Sequence, residues 1–338
     1  MKRRLIRSLV VAVLIVALAA VAYPRFDRQD IGIISKYTGK IEGEQSLGDA
    51  AYYISYVKYF RGDGLIENVQ LPFRYRPLIP YLASLLPVDS AMTSINIINL
   101  AALYLTIAIL FVMLKRLDFE FGYAIAGCFL YAVSFPVFYM STTGYLEASA
   151  MVFLVAGTCL IYRKNWIATA LVIAGGVFVK ETVAILVPVG FVYLWACKTR
   201  WRNIIGVTIL LGASFVIPTA VIRSVFRDAG DFYWIPNIPT LLFNLRLRAL
   251  ASLGLTFGIP GILTLLFLIL YRRYSIRVEP NFLLPSLAGL ACTLLLVFYS
   301  MLTAYTDGRF IWPAAVFTIP IALWFVKLSI RDRRAKTN

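Results

Sequence analysis

Histidine is absent from all 338 residues. That absence excludes an imidazole base, a histidine metal ligand and the usual Ser-His-Asp triad. Cysteine is scarce: Cys128, Cys159, Cys197 and Cys292 fall in or at the ends of apolar runs, without the spacing of a metal site, redox pair or disulfide framework. The sequence carries no P-loop, no G-x-G-x-x-G fingerprint and no regular repeat, so nucleotide-driven transport has no anchor in it. Acids number only 17 against 33 Lys and Arg. Any proton acceptor must therefore be a carboxylate, Lys, Tyr or Cys. The formal charge of +16 is spread over short clusters between apolar blocks, a pattern that marks membrane topology and argues against nucleic acid as a partner.

What the chain has in excess is hydrocarbon. Sixty per cent of its residues are hydrophobic, 15% are charged, and the mean hydropathy is +0.79, outside the range of ordinary soluble domains. About 20 apolar residues cross a bilayer as a helix, and ten such segments are predicted: 5–22, 91–114, 121–140, 147–162, 166–179, 182–197, 203–222, 249–271, 281–304 and 309–326. The expected fold is an all-α polytopic membrane protein, one transmembrane domain over residues 1–338 with no separate soluble domain. The first segment, led by "KRRLIR" and followed by "AAVAYP", has the features of a signal peptide as well as of a span. It is read as an uncleaved span, and the orientation of the rest is the same either way.

Placing the amino terminus in the cytoplasm puts 19 of the 33 basic residues and four of the 17 acids on the inner side, a balance of +15 there against +1 outside. Every short inner loop is then basic, as the positive-inside rule requires. The protein is expected in the cell membrane (inner or plasma membrane) with both termini cytoplasmic. The two long loops, 23–90 and 223–248, fall outside, and long loops between spans commonly carry function.

The first outer loop contains "GDAAYYISYVKYFRGDG", in which Tyr52, Tyr56 and Tyr59 recur at helical spacing, as do Tyr53, Val57 and Phe60. This predicts an interfacial helix opened by Asp49. Two readings of Asp49 stand together: a cap for the helix amino terminus, or a carboxylate at the outer surface that takes a proton or binds a metal. Downstream, "PFRYRPLIPYLASLLP" places Arg74, Tyr75 and Arg76 before an apolar stretch between Pro77 and Pro87. About nine residues rise only about 14 Å, so this segment dips into the outer leaflet. Its arginines suit either phospholipid headgroups or the phosphate of a lipid substrate.

Further outer candidates are Lys180 and Glu181, expected to form an ion pair with each other or with neighbours. Glu147 stands at a helix start, and Asp307, Gly308 and Arg309 form a turn. The loop "RSVFRDAGDFYWIPNIP" sets Asp231 beside Tyr233 and Trp234, a mixture that suits sugar binding and an interfacial aromatic belt equally.

Taken in order, "LGDAAYYISY", "FRYRPLIPYLA", "FVKETVAILVP" and "DGRFIWPAA" resemble the GT-C superfamily of membrane glycosyltransferases, which includes protein O-mannosyltransferases and lipid A aminoarabinose transferases. The resemblance implies transfer of a sugar from a polyprenyl-phosphate carrier to a lipid, glycan or protein acceptor on the extracytoplasmic side, among membrane lipids. It makes Asp49 the catalytic acid of the first loop and Arg74, Arg76, Lys180 and Arg309 the donor-phosphate set. Tyr52, Tyr53, Tyr75, Glu147, Glu181, Asp231, Trp234 and Asp307 become substrate-binding residues. A divalent cation, Mg or Mn, is the one cofactor it leaves open. Two other classes compete: an O-antigen-type polymerase or ligase, and a lipid or glycolipid transporter or flippase. Transport predicts related halves and ionisable residues near the bilayer midplane, and neither is visible in the sequence.

Overall fold

A computed structural model describes residues 48–140, 143–227, 235–271 and 278–337. The predicted first span, together with Asp231 and Trp234, lies outside the described residues. Among the described residues every regular element is helical. The α-helices are α1 (Asp49–Arg61), α2 (Leu78–Ser84), α3 (Ala91–Arg116), α4 (Phe121–Ala132), α5 (Phe135–Met140), α6 (Glu147–Tyr162) and α7 (Trp166–Val177). They continue with α8 (Leu186–Ala196), α9 (Trp201–Val225), α10 (Ile238–Asn244), α11 (Leu247–Tyr271), α12 (Pro280–Thr303) and α13 (Ala315–Thr337).

Five stretches are long and apolar enough to cross a membrane: α3, α9, α11, α12 and the run Gly308–Arg331 that leads into α13. They suggest a membrane protein. Side chains such as Ile209 on α9, Ile269 on α11 and Leu295 on α12 are largely exposed. An outward face of that composition suits hydrocarbon rather than water.

Several apolar blocks that read as single spans are interrupted or shortened. Residues 121–140 divide into α4 and α5 where the Ser134 hydroxyl donates to the Tyr131 carbonyl and Pro136 brings no N–H to continue the ladder. Helix α7 has 12 residues and rises about 18 Å, short of a hydrocarbon core of about 30 Å. Helix α11 is two helices meeting at Gly258, whose φ of 54° and ψ of −159° suit a residue without Cβ, with Pro260 just beyond. The block 309–326 opens as two 3₁₀ turns, Gly308–Phe310 and Trp312–Ala314, before α13 begins. The helix after Pro77 is seven residues rather than nine, ending at Ser84.

The main core lies where α3, α4, α6, α8, α12 and α13 meet, around Leu103, Leu114, Tyr131, Leu154, Leu186, Trp312 and Phe317. A second cluster docks the first-loop helix onto the bundle: Tyr53, Tyr56 and Val57 of α1 pack with Phe73, Ile79, Ile95, Leu146 and Val179. Close crossing of α12 and α13 depends on Gly289, where a Cβ would lie 2.4–2.5 Å from three ring atoms of the buried Phe317. Gly289→Ala should therefore cost about 1–3 kcal/mol by overpacking, seen as a lower thermal unfolding midpoint in detergent. An unchanged midpoint would mean that the Phe317 ring has room to swing aside.

Candidate functional site

Polar residues buried in apolar helices shape one end of the bundle. Asn96 and Asn99 are fully buried on α3. The Asn96 side-chain oxygen accepts from the Gly144 amide, and the Asn99 amide donates to the Tyr145 carbonyl while its oxygen accepts from Ser149. An unpaired amide in such a place is costly, so these bonds fix the turn that delivers Tyr145 and Glu147. Asn244 performs the same service across the bundle, donating to the Met301 and Ala304 carbonyls and accepting from the Thr306 amide. Ser252 accepts from the Gly308 amide. Together they hold the Asp307–Arg309 turn.

Arg309 is the centre of the resulting charge cluster. Its Nε lies 3.0 Å from both Asp307 carboxylate oxygens, and its Nη1 donates to Asp49 Oδ2 at 2.9 Å. The guanidinium carbon sits 4.1 Å from the Tyr145 ring centroid. The side chain of Arg309 is 7% exposed while that of Asp49 is 43% exposed, so the acid opens outward from a buried base. Among the described residues only Oδ2 of Asp49 is engaged, which leaves Oδ1 for a ligand. The helix cap here is Gly48, with φ at 56° and no side-chain capping bond. The reading of Asp49 as a cap is thereby corrected: its carboxylate is used in the ion pair instead.

Lys180 pairs with Glu147 rather than with its neighbour Glu181, and both partners are buried. Glu181 pairs with Arg76, Nη2 to Oε2 at 2.9 Å, and Arg76 Nη1 donates to the Tyr53 hydroxyl at 2.7 Å. Burial opposes the Arg76 charge, but Glu181 and then Tyr53 outweigh it and hold the guanidinium above its ordinary pKa. Burial also raises the Tyr53 phenol, against the pull of Arg76, so it stays protonated. The phenol of Tyr145 is raised by burial in the same way, with Arg309 opposing.

A narrow cavity of about 10 Å³, room for about one water, joins Glu147, Lys180, Thr182, Arg309 and Trp312. Thr182 Oγ1 and Trp312 Nε1 are buried there without a protein partner.

Of the sequence-predicted residues, the structure brings Asp49, Arg309 and Asp307 into direct contact, joins Glu147 to Lys180, and joins Arg76, Glu181 and Tyr53. Tyr52 stacks on Phe73 at 4.6 Å and its hydroxyl donates to Gln70. Tyr75 is buried, with the Arg223 guanidinium 5.4 Å from its ring centroid. Arg74 lies apart from the ion pairs, its Nε donating to the Val69 carbonyl. Among the described residues no three His, Cys, Asp or Glu side chains gather where they could hold a metal, and Asp49 and Asp307 converge on Arg309 instead. Sequence reasoning missed Tyr145 and the Asn96, Asn99 and Asn244 clamps. The asparagines were visible in principle: two amides three residues apart inside "SINIINLAALYL" share a helix face and need partners.

Lys180→Met should lower stability by about 3 kcal/mol, because it strands the buried Glu147 carboxylate. Adding Glu147→Met should restore most of that loss. Thermal unfolding in detergent checks both variants, and an equal loss in single and double would show that the pair is not what the site depends on. Neither a protein-family model nor a curated protein matches this chain, so the site must be interpreted from its own chemistry.

Proposed function

We propose that the protein is a ten-span membrane glycosyltransferase of the GT-C type, which moves a sugar from a polyprenyl-phosphate carrier to an acceptor hydroxyl at the extracytoplasmic face. The observation that carries the reading is a half-exposed Asp49 carboxylate fixed by the buried Arg309, with one oxygen unengaged by the described residues, at the bundle end where the charge pairs gather. The first-loop helix that presents Asp49 is itself packed on the bundle. Chain direction supports the assigned orientation: α3 and α6 run from this end to Arg116 and Arg163, where the basic turns lie.

In this mechanism the acceptor oxygen attacks the anomeric carbon as the bond from that carbon to the phosphate oxygen breaks. The acceptor proton passes to Asp49, and the electron pair of the broken bond leaves with the polyprenyl phosphate. A single displacement inverts the anomeric centre. Base assistance of this kind contributes a factor of about 10² to 10⁴, and a placed cation beside the leaving phosphate adds several kcal/mol.

The four predicted phosphate ligands are not equally free. Arg76, Lys180 and Arg309 are each committed to a carboxylate. Among the described residues Arg74 uses only its Nε, so its two terminal nitrogens suit bidentate phosphate binding. Arg223, in the last turn of α9, brings a second cation against the same loop through its contact with the Tyr75 ring. The half-buried Tyr52, stacked on the buried Phe73, offers the edge of an aromatic surface to a sugar ring.

Purified protein incubated with a panel of labelled polyprenyl-phosphate sugars should consume one of them. Asp49→Asn should reduce turnover at least about 100-fold while the protein stays folded, with a lowered unfolding midpoint because Arg309 then keeps only the Asp307 carboxylate, and undiminished turnover would remove Asp49 from the mechanism. Arg74→Gln should raise the half-saturating donor concentration about tenfold with little change in maximal rate. An unaltered donor dependence would return Arg74 to a structural role. Consumption of oligosaccharide diphosphate donors alone would move the protein to the polymerase class.

A further inference from the structure

We infer that the opposite end of the bundle holds a binding site for an anionic phospholipid. The inference is independent of the transferase reading. Two successive helix junctions there share one design: α6 ends in Lys164 with φ at 56° and α8 ends in Lys198 with φ at 53°. A tryptophan then opens the next helix each time, Trp166 and Trp201. A side chain in the left-handed region costs about 1 kcal/mol relative to glycine, yet both positions carry a cation.

Between the two junctions lies a cavity of about 480 Å³, within the range of small-molecule sites. Its polar end is formed by Lys164, Thr199, Arg202 and Asn203, and no carboxylate lines it among the described residues. Its wall continues through Leu194, Gly206 and Val207. A Cβ built on Gly206 meets nothing within 4 Å. Beyond it, Ile205 and Ile209 of α9 are more than half exposed.

These features together select one ligand chemistry. A free inorganic anion would meet Lys164 and Arg202 but leave the apolar wall wet. A hydrocarbon chain alone would fill the wall and leave the cations without a counter-charge. A phosphodiester joined to acyl chains satisfies both ends, the phosphate between the cations and a chain along the Gly206 groove. Charge balance decides the headgroup: among the described lining residues Lys164 and Arg202 meet no carboxylate, so a headgroup that is anionic overall neutralises them where a zwitterionic one brings a further cation. Basic pockets between membrane helices take anionic headgroups for these reasons. Bound so, the lipid would tie the α6–α7 junction to the α8–α9 junction.

The test uses delipidated full-length protein in detergent, with thermal unfolding read against added phosphatidylglycerol, phosphatidylcholine or inorganic phosphate. Phosphatidylglycerol should raise the midpoint saturably while the other two leave it unmoved. Lys164→Gly keeps the turn, because glycine accepts its φ, and Arg202→Gln keeps the helix; each should raise the half-saturating lipid concentration about fivefold. Gly206→Leu should abolish the saturable shift without lowering the lipid-free midpoint, since its side chain enters open space. The inference is overturned if phosphatidylcholine matches phosphatidylglycerol, if phosphate alone reproduces the shift, or if the three variants respond as the parent does.

Discussion

Taking a guanidinium out of water costs several kcal/mol unless its donors are met by acceptors in good geometry. Arg309, buried at the head of the last long apolar run, meets that demand with two carboxylates from opposite ends of the chain. Asp307 is its neighbour in the same turn. Asp49 is 260 residues away in sequence. The pairing therefore does more than neutralise a charge: it fastens α1 to the 307–309 turn, at a place where apolar packing alone would leave the helix free to slide. Asn244 and Ser252 hold that turn from behind, so the position of Asp49 is inherited from buried amides and hydroxyls on α10 and α11.

The same economy recurs around the cluster. Four acids, Asp49, Glu147, Glu181 and Asp307, face three bases, Arg76, Lys180 and Arg309, and each base takes at least one acid. Because the pairs join different helices, they act as register marks at the end of a bundle whose sides are smooth hydrocarbon. Interrupted helices make room for them. The end of α7 at Val177 frees the chain to turn through Lys180 and Glu181, and the 3₁₀ turns before α13 let Arg309 point back into the bundle. An uninterrupted 20-residue helix in either place would carry these charges into the apolar core.

Helical class and the order of the apolar blocks were legible because both follow from hydrocarbon content, which is a property of single residues and their neighbours. The starts of α3 and α6 fall at the edges of those blocks, residues 91 and 147, and the structure adds that the Ser90 hydroxyl accepts from the Thr93 amide at the first of them. The breaks at Ser134 and Gly258 were harder to see, since one serine or glycine in an apolar run is ordinary and only the tertiary packing decides whether the helix bends there. Charge pairing was the least legible feature. Lys180 stands next to Glu181 in the chain, yet an extended residue at Lys180 sends the two side chains to different partners, and no local pattern tells that Glu147 waits 33 residues earlier. Likewise the sequence marks Asp49 as a helix start but cannot reveal that glycine, not aspartate, occupies the cap.

Exposure then separates the roles of acids that look alike in sequence. Glu147 is buried against Lys180 and reaches only a cavity the size of a water molecule. A carboxylate so enclosed can hold helices together but has no path to a bulky substrate. Asp307 is spent on the Arg309 Nε and backbone amide, and Glu181 on Arg76. Among the described residues Asp49 alone of the four combines a fixed position with an unengaged oxygen and an open side.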